Sequence, residues 1–196
     1  MEIKKRNNIF LDLGAHYGEG LTEFVSKILP IDDTWKIYSF EPNPLINTEE
    51  NYINNQLLQS KNLNIEFYKK AVWIKTGKIL FKMYGPSGCS LGSLIGETTG
   101  DKEYRDYHSS SLVESIDLWD FINTKFKATD RIYIKMDIEW AEYEILQNML
   151  DRGWPKNIFK MWIEFHGLND SVFIEKSNKL IYNIESKYST KITLWK

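Results

Sequence analysis

The stretch IFLDLGAHYGEG, residues 9–20, constrains the fold more than any other part of this sequence. Ile9–Leu13 is an apolar run of strand length broken only by Asp12. Glycines at Gly14, Gly18 and Gly20 then bare the backbone. A helical period follows over Leu21–Leu29, with Leu21, Phe24, Val25, Ile28 and Leu29 on one face, and it ends at Pro30. The pattern repeats downstream. Lys36–Phe40 reads as a second strand, Pro44–Leu58 as a second helix with proline in its first turn, and Asn64–Tyr68 as a third strand. This β-α-β-α-β run predicts an α/β fold with a mostly parallel central sheet and helices on both faces.

The middle of the chain departs from that rhythm. Residues 69–83 hold two apolar runs around KTGK, which predicts a hairpin-like excursion. Residues 84–111 are rich in Gly and Ser with little periodicity, so a long loop insertion is expected there, of the kind that covers a site. Leu112–Ile116 reads as a short strand and 117–126 as a helix. RIYIKMDIEWAEYEILQNMLDRG then returns to strand, turn and helix, with Gly153 as the stop. NIFKMWIEFHG is a further strand, Ser171–Tyr188 a helix and Lys191–Trp195 a last strand.

With 196 residues, the whole chain, 1–196, fits one domain, and its closely trimmed ends suit either a compact protein or one domain of a longer polypeptide. Aromatics reach 14%, which predicts a large aromatic core, a flat-walled site, or both. A net charge of −2 argues against long-range attraction to nucleic acid or to an anionic membrane. The KKR cluster at Lys4–Arg6 reads as a solvated terminus. No apolar run approaches the roughly 18–20 residues that span a bilayer, and the charged N-terminus lacks the apolar core of a signal peptide. The single Cys89 allows no internal disulfide. These features lead us to expect a soluble cytoplasmic protein.

In an open parallel sheet, ligands bind beyond the carboxyl ends of the strands, where the strand order reverses. Gly14 and Gly18 would line that approach, and Asp12 would accept from a ligand ammonium or order the turn. Glu41 ends the second strand, where a carboxylate can accept from both hydroxyls of a ribose. Asp12, Gly14, Gly18 and Glu41 together predict a nucleoside-containing ligand. The glycine spacing lacks the close pair that seats a pyrophosphate, and Glu19 would repel one. A sulfonium cofactor, cationic and free of phosphate, suits an acid-lined pocket better. That favours S-adenosylmethionine over a nicotinamide dinucleotide. Asp137 closes the other informative strand, and Glu139, Glu142 and Glu144 follow it.

FLDLGAHYGEGLTEF, YSFEPNP, KKAVW, SGCSLGSL, VESIDLWDFI, IKMDIEWAEYEIL and WIEFH stand in the order and spacing of the FkbM-type methyltransferases. Over residues 9–166 the chain resembles that family. The resemblance implies a Rossmann-like class I fold and an S-adenosylmethionine-dependent O-methyltransferase, with a small-molecule, sugar or glycan hydroxyl as acceptor. A fused partner domain such as a glycosyltransferase is a further expectation. By the same resemblance Asp12, Gly14, His16 and Gly18 hold the methionine part, Glu41 the ribose, and Ala71 and Val72 the adenine, with Trp73 as a wall. Ser90 would lie near cofactor or substrate. Asp137, Glu139 and Glu142 match the pattern D-x-E-G-x-E and would face the acceptor. Trp140 stands where glycine is usual, as a stacking platform for a sugar ring or as a core side chain. His16 stands where asparagine is more usual.

Methylating a hydroxyl requires removal of its proton. His166, at the end of MWIEFHG, is one candidate base and Asp137 another. A third arrangement has Asp137, Glu164 and His166 holding a divalent cation that lowers the hydroxyl pKa. His108 reads as an exposed loop residue. Two rival readings are a nicotinamide-dependent oxidoreductase on a similar sheet and a non-catalytic cofactor-binding module.

Overall fold

The computed structural model describes residues 6–85, 91–93 and 107–195. Six strands form an all-parallel sheet: β1 (Asn8–Leu13), β2 (Lys36–Phe40), β3 (Asn64–Tyr68), β8 (Arg131–Met136), β9 (Ile158–Ile163) and β10 (Lys191–Leu194). Their order is β10-β9-β8-β1-β2-β3. The chain runs outward from β1 to β3, then crosses back to lay β8 on the other side of β1. The strand order therefore reverses between β1 and β8, which is where such sheets bind ligands.

Alternation along each strand divides the core in two. Ile9, Leu11 and Leu13 of β1 and Ile132, Ile134 and Met136 of β8 face one layer of helices. That layer comprises α4 (Leu118–Lys125), α5 (Glu142–Asp151) and α6 (Ser171–Lys187). Phe10, Ile37, Tyr133 and Trp162 face the other side, packed by α1 (Glu19–Glu23), the π-helical turn Phe24–Ile28, α2 (Thr48–Asn54) and α3 (Gln56–Ser60). Much of the aromatic content is core. Phe24 alone packs against Phe10, Trp162 and Trp195 with ring centroids 4.9–5.0 Å away. No helix among the described residues is long and apolar enough to cross a membrane.

Several elements differ from expectation. The first helix turns into a π-helix at Phe24, with the Leu29 N–H reaching back to the Phe24 carbonyl. The second helix starts later than Pro44, because Asn43 Oδ1 accepts from the Leu45 N–H in a turn and Asn47 supplies the N-cap. It also breaks at Asn55, whose side chain caps a new helix through the N–H groups of Leu57 and Leu58. The predicted hairpin is wrong in its pairing. β4 (Ala71–Trp73) and β5 (Gly77–Tyr84) both pair with β7 (Tyr107–Asp117), which lies between them. With β6 (Leu91–Ser93) they form a second sheet of order β4-β7-β5-β6. The ends of the expected 84–111 loop are therefore strand, while Cys89 and Ser90 lie outside the described residues.

At the crevice, Gly14 has φ +76°, and its N–H and that of Ala15 both donate to the Phe40 carbonyl. A Cβ at Gly14 would overlap the carbonyl oxygen of Asp137. Gly153, at the end of α5, also has positive φ but open space around it. Gly14→Ala is expected to cost about 3 kcal/mol from left-handed strain plus overlap, and Gly153→Ala only about 1 kcal/mol. Urea unfolding of the two variants checks this; equal losses would contradict the close approach of β1 to β8.

Candidate active site

A cavity of about 300 Å³ opens at the carboxyl ends of β1, β2 and β8, with β4 and β5 of the second sheet along one side. That volume is at the small end of cofactor-sized pockets. Its floor is the seam between β1 and β8. Lys135, on β8, points to the same side of the sheet as Asp12 on β1. Its ammonium donates to the Gly14 carbonyl at 2.6 Å and lies 3.2 Å from Asp137 Oδ2 and 3.8 Å from Asp12 Oδ1. Burial alone would lower its pKa, but Asp137 and Asp12 outweigh it and hold Lys135 above the usual lysine value.

Glu41 follows β2 and lines the cavity. Its Oε2 accepts from the His16 N–H and its Oε1 from the Asn43 N–H, both at 2.8 Å. These bonds fix the carboxylate and tie it to the turn after β1. Burial pushes its pKa up, against the pull of the two N–H donors. The turn is held from the other side by the Thr48 hydroxyl, which donates to the His16 carbonyl at 2.6 Å. Gly14, His16, Ala71 and Val72 all lie on the wall, as does Phe81.

Two expected cofactor residues lie behind that wall. Asp12 is fully buried, accepts from the Tyr52 hydroxyl at 3.0 Å and faces Lys135. Burial raises its pKa. Gly18 packs against the Tyr52 ring, where a side chain would collide. Both shape the turn and touch no cavity space.

The turn after β8 holds the second cluster. Asp137 and Glu139 line the cavity. Glu139 and Trp140 are both left-handed, with φ 53° and 80°. Glu142, the first residue of α5, is fully buried; its Oε1 accepts from the Ile138 N–H at 2.9 Å and lies 3.3 Å from His166 Nδ1. Glu139 Oε2 lies 3.1 Å from His166 Nε2. The imidazole is thus clamped between two carboxylates. Burial opposes its charge, yet the contacts with Glu139 and Glu142 prevail and push its pKa up to about 11. In that state it carries protons on both nitrogens and has no lone pair for another. The geometry does not suit His166 to the role of general base.

Three other expectations change here. Trp140 is no platform: it is 5% exposed, and its ring packs on Gly167 and Phe173. Two successive left-handed residues turn the indole back into the core. Glu142 holds His166 and the turn and does not face an acceptor. Among the expected metal ligands, Glu164 gives way to Glu139. β9 ends at Ile163, so strand alternation does not carry Glu164 and His166 to one side. The ligand atoms that converge are those of Asp137, Glu139 and His166, all within 4.8 Å of one another. Burial, then Asp137, raises the pKa of Glu164.

The residue missed in the sequence is Lys135. A lysine inside the apolar run IYIKM needs buried acceptors, and that signal points to Asp12 and Asp137.

Comparison with known proteins agrees with this architecture. No curated protein matches the chain. Among solved structures, the crystal structure of Methyltransferase FkbM from Methylobacillus flagellatus KT shares the fold, with a TM-score of 0.50 and 16% sequence identity over 94% of this chain. The match spans 40% of that chain's length. The family described as Methyltransferase FkbM domain matches residues 12–189. The chain therefore belongs to the FkbM methyltransferase family.

Proposed function

We propose that the chain is an S-adenosylmethionine-dependent O-methyltransferase that acts on a hydroxyl of a sugar or glycan. The observation that carries this reading is Glu41. Each of its oxygens accepts one backbone N–H and keeps a second lone pair, enough to receive both hydroxyls of a ribose. Ala71, Val72 and Phe81 give an apolar slot for adenine on one side of it. Gly14 and His16 leave backbone-lined space for the methionine part on the other. Five carboxylates (Glu19, Glu23, Glu41, Asp137 and Glu139) line the cavity against two lysines, Lys70 and Lys135. That balance favours a cationic ligand and disfavours the pyrophosphate of a nicotinamide dinucleotide.

When bound, S-adenosylmethionine supplies an activated methyl group on its sulfonium sulfur, so positioning provides much of the rate. The chain must orient the acceptor oxygen in line and take its proton. Asp137 and Glu139 sit on the cavity wall, and carboxylates accept O–H hydrogens well. Asp137 is the proton acceptor in this reading, and Glu139 holds a neighbouring hydroxyl. Several adjacent hydroxyls on one acceptor suit such a carboxylate pair, which supports a carbohydrate.

Glu41→Ala is expected to weaken S-adenosylmethionine binding by about tenfold or more, the loss of hydrogen bonds to a charged acceptor. Calorimetry measures this, and an unchanged Kd would remove the ribose assignment. S-adenosylmethionine should raise the Tm of the wild-type protein while NAD+ leaves it unmoved; the reverse would support an oxidoreductase. In a glycan panel with labelled donor, Asp137→Asn should lower methyl transfer by about 100-fold or more with donor affinity retained. Donor binding with no transfer to any acceptor would favour a non-catalytic module.

A further inference from the structure

We propose that Asp137, Glu139 and His166 hold a divalent cation at the wall of the donor cavity. The ligand atoms come from three segments: the end of β8, the left-handed turn after it, and the loop after β9. All lie within 4.8 Å of one another, and a cation here takes the place of the proton on His166 Nε2, while Nδ1–H still faces Glu142. Ligands around one ion with bonds of about 2.1 Å stand about 3–4.2 Å apart, so small side-chain adjustments close the set. Asp137 and Glu139 line the cavity, so the remaining coordination positions open toward bound molecules.

Glu142 supplies a second, independent observation. A fully buried carboxylate is costly unless it is employed. Its Oε1 is fixed by the Ile138 N–H and faces His166 Nδ1, while its Oε2 has no hydrogen-bond partner among the described residues. A carboxylate behind one imidazole nitrogen, with the other nitrogen aimed at further acids, is the arrangement that orients a metal-binding histidine. The charge balance agrees. Asp137, Glu139, Glu142 and Glu164 gather around one imidazole, and the nearby Lys135 is already engaged by Gly14, Asp12 and Asp137. One imidazole with two carboxylates suits Mn2+, Fe2+, Co2+ or Zn2+ better than Ca2+.

The consequence deepens the methyl-transfer reading and rests on it. An acceptor hydroxyl bound to the ion loses its proton more readily. That proton passes to the Asp137 carboxylate as the oxygen–methyl bond forms, the sulfur–methyl bond breaks and the neutral thioether leaves.

The probe is Mn2+ alone, added to the purified chain without donor and followed by electron paramagnetic resonance. We expect one Mn2+ bound per chain, with hyperfine coupling to a ligand nitrogen. Glu139→Gln, a change at a partly exposed side chain that keeps shape, should weaken binding by at least about tenfold, and Glu142→Gln by about tenfold through the imidazole. His166→Gln should abolish the nitrogen coupling, and Glu164→Gln should bind as the wild type does. Absence of bound Mn2+, absence of nitrogen coupling, or wild-type binding by Glu139→Gln would overturn the site. Calorimetry with S-adenosylmethionine on the same sample separates the two proposals. Donor binding without Mn2+ binding defeats the ion alone; Mn2+ binding without donor binding defeats the donor reading and leaves the ion site standing.

Discussion

The crevice depends on one buried ammonium. β1 and β8 run side by side as parallel neighbours, paired as far as Leu13 and Met136, and the Asp137 N–H donates to the Leu13 carbonyl; beyond that point the chain leaves them for opposite halves of the sheet. Lys135 braces the two turns there. It reaches from β8 to the Gly14 carbonyl and is flanked by Asp12 and Asp137. An ammonium this buried would be costly alone, and so would the Asp12 carboxylate. Together, with the Tyr52 hydroxyl on the far side of Asp12, they form a network that links both strands and α2. With the strand ends held by the ladder and by this network, the Asp137 carbonyl lies where a Cβ of residue 14 would be. The glycine that opens the cavity is required first by the protein's own packing.

This explains which parts of the molecule were legible in the sequence. The four central parallel strands were readable because each is a short apolar run whose alternate residues meet a helix layer, a local pattern with a local cause. Glu41, Asp137, Gly14 and His16 were readable as cavity residues because strand ends in such a sheet converge on one edge. Asp12 could be read from the sequence either as a ligand acceptor or as a residue that orders the turn. It is at a strand end, but its direction is set by pairing with a lysine 123 positions later, which no local pattern contains.

The second sheet was illegible in its pairing on similar grounds. KTGK between two apolar runs has the composition of a hairpin turn. β7 pairs with both runs, and Ser115 sits between Ala71 and Gly77 across the two ladders. Only the long eleven-residue strand, partly hidden in a Gly- and Ser-rich segment, could displace the hairpin. The breaks at Phe24 and Asn55 are finer. One is a change of hydrogen-bond register within an apolar helix. The other is an asparagine side chain competing with the helix for its own N–H groups.

The turn from Asp137 to Glu142 shows that shape can be kept when its usual residue is lost. Trp140 stands where the family pattern has glycine, and its φ of 80° is a conformation that glycine adopts freely. A tryptophan there costs about 1–2 kcal/mol in backbone strain. Burying the indole against Gly167 and Phe173 returns about 2–3 kcal/mol, enough to hold the turn. What the turn achieves is independent of the residue that makes it. It swings Glu139 onto one nitrogen of His166 and lets Glu142 fold back to the Ile138 N–H while facing the other. A straighter path would carry Glu139 away from the cavity wall. The strain is therefore tied to the placement of two carboxylates around one imidazole, and the tryptophan, which the sequence leaves open as a sugar platform or a core side chain, acts as the weight that keeps them there.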